Sequence, residues 1–192
     1  ITAGLRYQAR VATRREARSH VLYEVARDLS QLLLTDDVMH TATQAISREF
    51  KARVLILLLD RSERLQAPEQ ALQQAEPGWD IGTAQWALDH NQAAGLGTDT
   101  LPGSAWLYLP LKATVRTRGV LAIQPSDKRM LMVPEQRQQL DTFAALVAMA
   151  LERVHFVDVA QEATVHIESE RLRNSLLAAL SHDLRTPLSV LV

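Results

Sequence analysis

From Glu135 to Thr186 the chain runs for more than fifty residues without a proline or a glycine. Nothing there removes a backbone donor or favours a left-handed turn, so any fold containing it must accommodate one very long helix. Pro134 stands just ahead, at the first helical position where its missing N–H costs nothing, and Glu135 follows it. Leu140, Phe143, Ala144, Val147, Ala148 and Leu151 then recur at helical spacing, which predicts a stripe buried against a core. Farther on, Ala163, Ile167, Leu177, Leu184 and Leu188 fall on the alternating four-and-three step of a coiled-coil seam. Glu170, Asn174 and Ser181 occupy weaker positions of that seam, so it is expected to be mobile.

What precedes the long helix is mixed. Ala17, Val21, Leu22, Val25, Leu29, Leu32 and Leu33 predict a helix from about Arg14 to Leu34. Thr35 reads as the N-cap of a second helix reaching about Phe50, with Asp36 and Asp37 in its first turn and Val38, Ala42, Ala45, Ile46 and Phe50 buried. Val54 to Leu59 is apolar without alternation, the pattern of a strand covered on both faces. Residues 60–80 read as a loop with one short strand near Arg64, Leu65 and Gln66, and Ile81 to Asn91 as a short helix. A loop of turn formers spans Gly95 to Gly103. Ala105 to Leu111 and Val115 to Gln124 then form a hairpin. Trp79, Trp86, Trp106 and Tyr108 have the character of cavity-lining residues, although Trp86 and Trp106 are expected as ordinary core.

Composition narrows the function. A length of 192 residues, 47% of them hydrophobic, suffices for one sizeable core plus helical extensions. A net charge of -1 and 22% charged residues argue against a nucleic-acid partner. With no cysteine, disulfides and thiolate metal sites are excluded. His20, His40, His90, His155 and His166 show no metal-ligand spacing, so no metal site is expected. No apolar run is long enough to span a membrane.

Chemistry concentrates near the end, in Ser181-His182-Asp183-Leu184-Arg185-Thr186-Pro187-Leu188. The His182 imidazole is a nucleophile able to carry a phosphoryl group, and the Asp183 carboxylate is placed to hold its tautomer and accept its proton. Thr186, one turn farther on, shares the helix face of His182 and can orient a water or an acceptor there. At roughly 100° per residue, His182 lies about 200° from Leu180 and from Leu184, so it should face solvent. Pro187 removes one backbone donor just beyond the site and bends the helix. The plain reading of the same residues is a surface His-Asp pair on an amphipathic helix.

This run resembles the phosphoacceptor box of sensor histidine kinases. The resemblance implies His182 as phosphoacceptor, Asp183 as acid-base partner, and Thr186 and Arg185 in the phosphatase half-reaction and in interdomain contacts. Such a kinase also needs a second bundle helix and an ATP-binding domain with its magnesium. No GxxxxGK[ST] loop or GxGxxG turn occurs here, and glycines number only seven, so no cofactor is expected on this chain. The chain is expected to be a fragment, unable alone to bind ATP or phosphorylate itself. Arg6, Arg10, Arg14, Arg15 and Arg18 against the one acid Glu16 give the first twenty residues a local charge of +4. That is either the solvated basic start of a helix or, as the kinase resemblance favours, a juxtamembrane segment on the cytoplasmic side.

The order of elements resembles a GAF domain, the small-molecule sensing module of signalling proteins, over roughly Ser19 to Phe156. A recurrent family pattern is matched by Pro110, Leu111, Gly119, Val120 and Leu121. The stretch from Asp60 to Gly103 is shorter and more polar than in ligand-binding members. The expected fold is therefore α+β, a GAF-like antiparallel sheet flanked by helices, with a long C-terminal helix. The domain division is 1–18 basic segment, 19–156 sensor, and 157–192 signalling helix with the start of a dimerisation and phosphoacceptor domain.

The arginine-rich start, this middle and "LLAALSHDLRTPLSVL" together resemble the cytoplasmic part of the KdpD-type potassium-sensor histidine kinases. The resemblance implies a parent in the inner membrane, a homodimer formed through helices, and a KdpE-like response regulator whose aspartate receives the phosphoryl group. The alternative is a non-catalytic GAF-type module that binds a small molecule or dimerises without phosphotransfer of its own.

Overall fold

The computed structural model describes residues 2–60, 62–66 and 78–188, with side chains described within 16–180, Ala179 excepted. The chain divides into two units, Ile1–Val154 and His155–Val192. In the first, α1 (Thr2–Ser30) and α2 (Thr35–Phe50) lead into β1 (Ala52–Leu59) and β2 (Leu65–Gln66). Then come α3 (Ile81–His90), β3 (Ala94–Gly95), β4 (Leu107–Lys112), β5 (Thr117–Pro125) and a 3-10 turn (Lys128–Met132). The last helix, α4 (Pro134–Leu188), begins at the expected proline and carries the chain into the second unit.

The five strands form one antiparallel sheet in the order β2-β1-β5-β4-β3. Its central strand β5 pairs with β1 from Ala52 with Pro125 to Leu58 with Gly119. They come close at Gly119, where a Cβ would run into the carbonyl oxygen of Leu57, so only glycine fits.

Alternation along the strands divides the apolar residues between two cores. Val54, Ile56, Leu107, Leu109, Leu111, Leu121 and Ile123 pack with α1, α2 and α4. Leu57, Trp106, Tyr108, Val120 and Ala122 point the other way, toward Ala84 and Ala87 of α3. The unbroken apolar run in β1 follows from this arrangement: both of its faces are covered.

The stripe expected on α4 is buried throughout, from Leu140 to Leu151, and Phe143 meets Phe50 edge-on with centroids 5.5 Å apart. Gln139 donates to Glu49 Oε1 at 2.8 Å, tying α4 to α2. Arg153 donates from Nη2 to the carbonyls of Leu29 at 2.8 Å and Leu32 at 2.7 Å. These belong to the last turn of α1 and the residues just after it, where helical carbonyls lack partners and a cation is favoured.

Three local expectations need correcting. The cap of α2 is Leu34, not Thr35, and no side-chain bond closes that end. Leu33 is 61% exposed because α1 ends at Ser30, so the helical period no longer applies to it; Ala17 is exposed as well. Within the segment read as a loop from Gly95, the pair Ala94–Gly95 forms the edge strand β3 against Leu107 and Tyr108.

In the second unit the described side chains from Phe156 onward are exposed. Phe156, Val157, Val159, Val165, Ile167, Leu172, Leu176, Leu177 and Leu180 all stand between 41% and 66% exposed. Two of the expected seam positions, Ile167 and Leu177, are among them, while the side chains of Leu184 and Leu188 lie outside the described residues. A single helix so exposed gains little from packing, and an apolar surface of this extent normally marks a contact site.

Candidate signalling site

Two places carry the chemistry that the sequence suggests: the sheet face under α3 and the end of α4. On the first, Asp80 starts α3 as its N-cap. Its carboxylate accepts from the Thr83 hydroxyl at 2.6 Å, the Thr83 amide at 2.8 Å and the Gly82 amide at 3.2 Å. The Thr83 hydroxyl and amide, with the Gly82 amide, outweigh partial burial and hold this carboxyl below its ordinary value of 3.8. The Asp80 amide in turn donates to the Tyr108 hydroxyl at 2.7 Å, and burial pushes that phenol above its usual value, keeping it neutral.

The cap carries a prediction. Asp80→Ala is expected to lower stability at neutral pH by about 1 kcal/mol, the usual effect of removing an N-cap. Because the folded carboxyl titrates below the unfolded value of 3.8, its contribution is complete above that pH and disappears as pH falls through the lower folded value. Urea melts at pH 7 and pH 3 should therefore show the wild type and the variant converging in acid. A gap that persists undiminished in acid would contradict the cap's electrostatic role.

Trp106 and Tyr108 are both fully buried, and Trp79 and Trp86 are half-buried against the same cluster. These four aromatics belong to the cluster on the α3 side of the sheet. His90 stacks on Trp86 at 4.1 Å between ring centroids, and its Nδ1 lies 3.0 Å from the Trp86 carbonyl oxygen. Among the described residues, no three histidine or acidic side chains gather as a metal site.

The backbone of Ser181–Leu188 continues α4, so His182 and Thr186 stand one helical turn apart on it. The side chains of His182, Asp183, Arg185 and Thr186 lie outside the described residues, as do those of Arg6, Arg10, Arg14 and Arg15. Among the described residues, no helix is long and apolar enough to cross a membrane.

A five-stranded antiparallel sheet with helices on both faces is the frame of several sensory modules, and a family model decides among them: the GAF domain model matches residues 35–153. The chain belongs to the GAF domain family. The crystal structure of the native GAF domain of the potassium sensor histidine kinase KdpD from Escherichia coli superposes with a TM-score of 0.68 at 39% identity. That match covers 74% of this chain and 99% of the other. The GAF domain of an Acinetobacter phosphoenolpyruvate-protein phosphotransferase superposes at 0.54 with 16% identity, over 74% of this chain and 97% of that one, and shows the fold alone.

The similarity extends past the GAF domain in both directions. The sensor protein KdpD of Escherichia coli K12 is 47% identical over 191 residues, all of this chain but 21% of the relative. The sensor protein KdpD of Clostridium acetobutylicum is 28% identical over 200 residues, covering 98% of this chain and 22% of that protein. The chain thus spans about a fifth of the length of these curated relatives. Within the GAF domain, Pro110 and Leu111 lie on β4, and Gly119, Val120 and Leu121 on β5, across from β1. The family pattern therefore falls on the central hairpin.

Sequence reasoning missed the root of α4. Glu152 is 6% exposed and accepts from the amides of Thr114 and Val115, each at 3.0 Å. Arg118, 8% exposed, brings Nη2 to 3.6 Å from its Oε1. In the sequence Glu152 is one polar position in a helix. The signal available was its place, four residues after Ala148 and beside Leu151 on the line of the apolar stripe, where a charge needs a buried partner.

Proposed function

We propose that this chain is the cytoplasmic sensing and phosphoacceptor-bearing part of a two-component sensor histidine kinase serving potassium or osmotic-stress signalling. The observation that carries the reading is the 47% identity to a KdpD sensor protein over a match that spans the whole chain and so reaches past the GAF domain to the segment bearing the Ser181–Leu188 box. In this reading, residues 1–18 are juxtamembrane, 19–156 form the sensor, and 157–192 form the signalling helix and the first dimerisation helix. The full protein lies in the inner membrane with this part on the cytoplasmic side.

A His182 ring nitrogen attacks the γ-phosphorus of ATP. The new N–P bond forms as the bond to ADP breaks, and Asp183 accepts the displaced ring proton. Phosphoryl transfer needs positioning more than covalent elaboration, so a few side chains suffice on this helix. ATP and magnesium are held by another domain, since this sequence offers no glycine-rich phosphate cradle. The phosphoryl group then passes to an aspartate of a KdpE-like response regulator, and Thr186 with Arg185 serves its later hydrolysis.

A homodimer formed through helices is supported by the apolar residues exposed along α4 from Phe156 to Leu180. In this reading the sensor relays state to α4 without a small molecule of its own, Trp106 and Tyr108 serving as buried core on the α3 side. A thermal shift of a few degrees on adding cyclic nucleotides or potassium would speak for the ligand-binding alternative.

The test is to incubate the full-length protein with γ-labelled ATP and magnesium and examine the linkage formed. A phosphoramidate is expected, stable in alkali and lost in mild acid, and transferable to the regulator. No label, or an acid-stable label on a hydroxyl, would remove the reading.

A further inference from the structure

The β4–β5 turn, residues 113–116, together with Thr117 at the start of β5, touches three separate parts of the first unit. At its far side, Thr117 donates from Oγ1 to Asn91 Oδ1 at 3.1 Å. Asn91 is the left-handed C-cap of α3, its own amide bonded back to the Ala87 and Leu88 carbonyls, so it moves with that helix. Arg116 meets Glu63, in the turn between β1 and β2, at 3.5 Å. That exposed pair contributes little energy, yet it marks the neighbourhood of the turn. The turn itself is tight, closed by the Ala113 amide on the Arg116 carbonyl at 3.3 Å, with a register shift between Pro110 and Lys112.

On its near side the turn is gripped by α4. The amides of Thr114 and Val115 each take one oxygen of the Glu152 carboxylate, and Arg118 lies against the same group. Burial by itself would push this carboxyl up. The Val115, Thr114 and Arg116 amides together with Arg118 outweigh that and hold it below its ordinary value, so it stays charged and bonded. The next residue, Arg153, holds the end of α1. Both contacts stand immediately before the end of the first unit at Val154.

We propose that the β4–β5 turn, held by Glu152, is the output contact of the sensor, coupling the state of α3 to α4 at the last residues before His155. Glu152 is a positioning residue in this scheme, and Thr117 brings the α3 side into it. The proposal rests on the sensing role given above, which supplies the reason for the coupling. Its physical content is a contiguous set of bonds, from Asn91 through Thr117 and the turn to Glu152, and the coupling along it is what the variants below measure.

The experiment is amide hydrogen exchange followed by mass spectrometry on the whole chain as wild type, Glu152→Gln, Thr117→Val and the double variant. Glu152→Gln should speed exchange in 113–116 and in α4 after Val154 by about five- to tenfold, the scale of losing one or two hydrogen bonds. Thr117→Val should do the same to a smaller extent, and the double variant should match Glu152→Gln alone, since the route passes through that residue. Unchanged exchange after Val154 in either single variant, or additive effects in the double, would overturn the proposal. If Glu152→Gln fails to fold, Thr117→Val still decides. Exchange does not depend on phosphorylation, so an unlabelled full-length protein with intact coupling would remove the kinase reading and leave this one standing.

Discussion

In the full-length protein, His182→Gln should reduce labelling from ATP to background. Glutamine offers an amide in place of the imidazole. Its nitrogen lone pair is delocalised into the carbonyl and cannot attack phosphorus, so the loss should be complete rather than graded. Asp183→Asn keeps the size of the side chain but removes the proton acceptor, and should slow labelling about a hundredfold, the lower range for a missing acid-base group. Thr186→Ala should leave labelling near wild type and slow the return of the regulator to its unphosphorylated state. Circular dichroism should report the same helix content in all three. Label persisting in His182→Gln at a wild-type rate would place the acceptor elsewhere and unseat the role given to this box.

The role given to the box rests on the sequence alone, where its chemistry is local. A nucleophile, an acid and a hydroxyl spaced by one residue and by one turn are all visible in eight consecutive letters. The fold was legible where one physical signal dominated. The run from Val54 to Leu59 lacks alternation because β1 lies between two cores, and the stripe from Leu140 to Leu151 is periodic because one face of α4 is buried. Where signals were weak the reading slipped. Thr35 has the chemistry of a cap, but the backbone turns one residue earlier, at Leu34. Ala94–Gly95 forms β3 through main-chain pairing at an edge, which leaves no side-chain periodicity to read. Glu152 and the turn it holds are 37 and 38 residues apart, and its partners are backbone amides, which have no letter in the sequence.

Replacing Phe143 with alanine should cost about 3–5 kcal/mol of stability, the range for removing a fully buried phenyl ring. Phe143 has no exposed surface and sits on the face of α4 that packs against α2, meeting Phe50 at an interplanar angle of 78°. The loss combines transfer of the ring to water, the cavity left between helices, and the edge-to-face contact, itself worth about 0.5–1.5 kcal/mol. For a chain of this size that corresponds to a fall in Tm of about 6–20 °C, at about 2–4 °C per kcal/mol. The adjacent Thr142 is exposed, and its hydroxyl only bonds back to the Gln138 carbonyl, so Thr142→Ala should change stability by less than about 0.5 kcal/mol. A calorimetric scan of the two variants separates them. Near-equal melting temperatures would mean that this stripe does not anchor α4. The anchoring matters beyond stability, because Glu152 and Arg153 can hold the turn and the end of α1 only if the helix that bears them is fixed against the sheet.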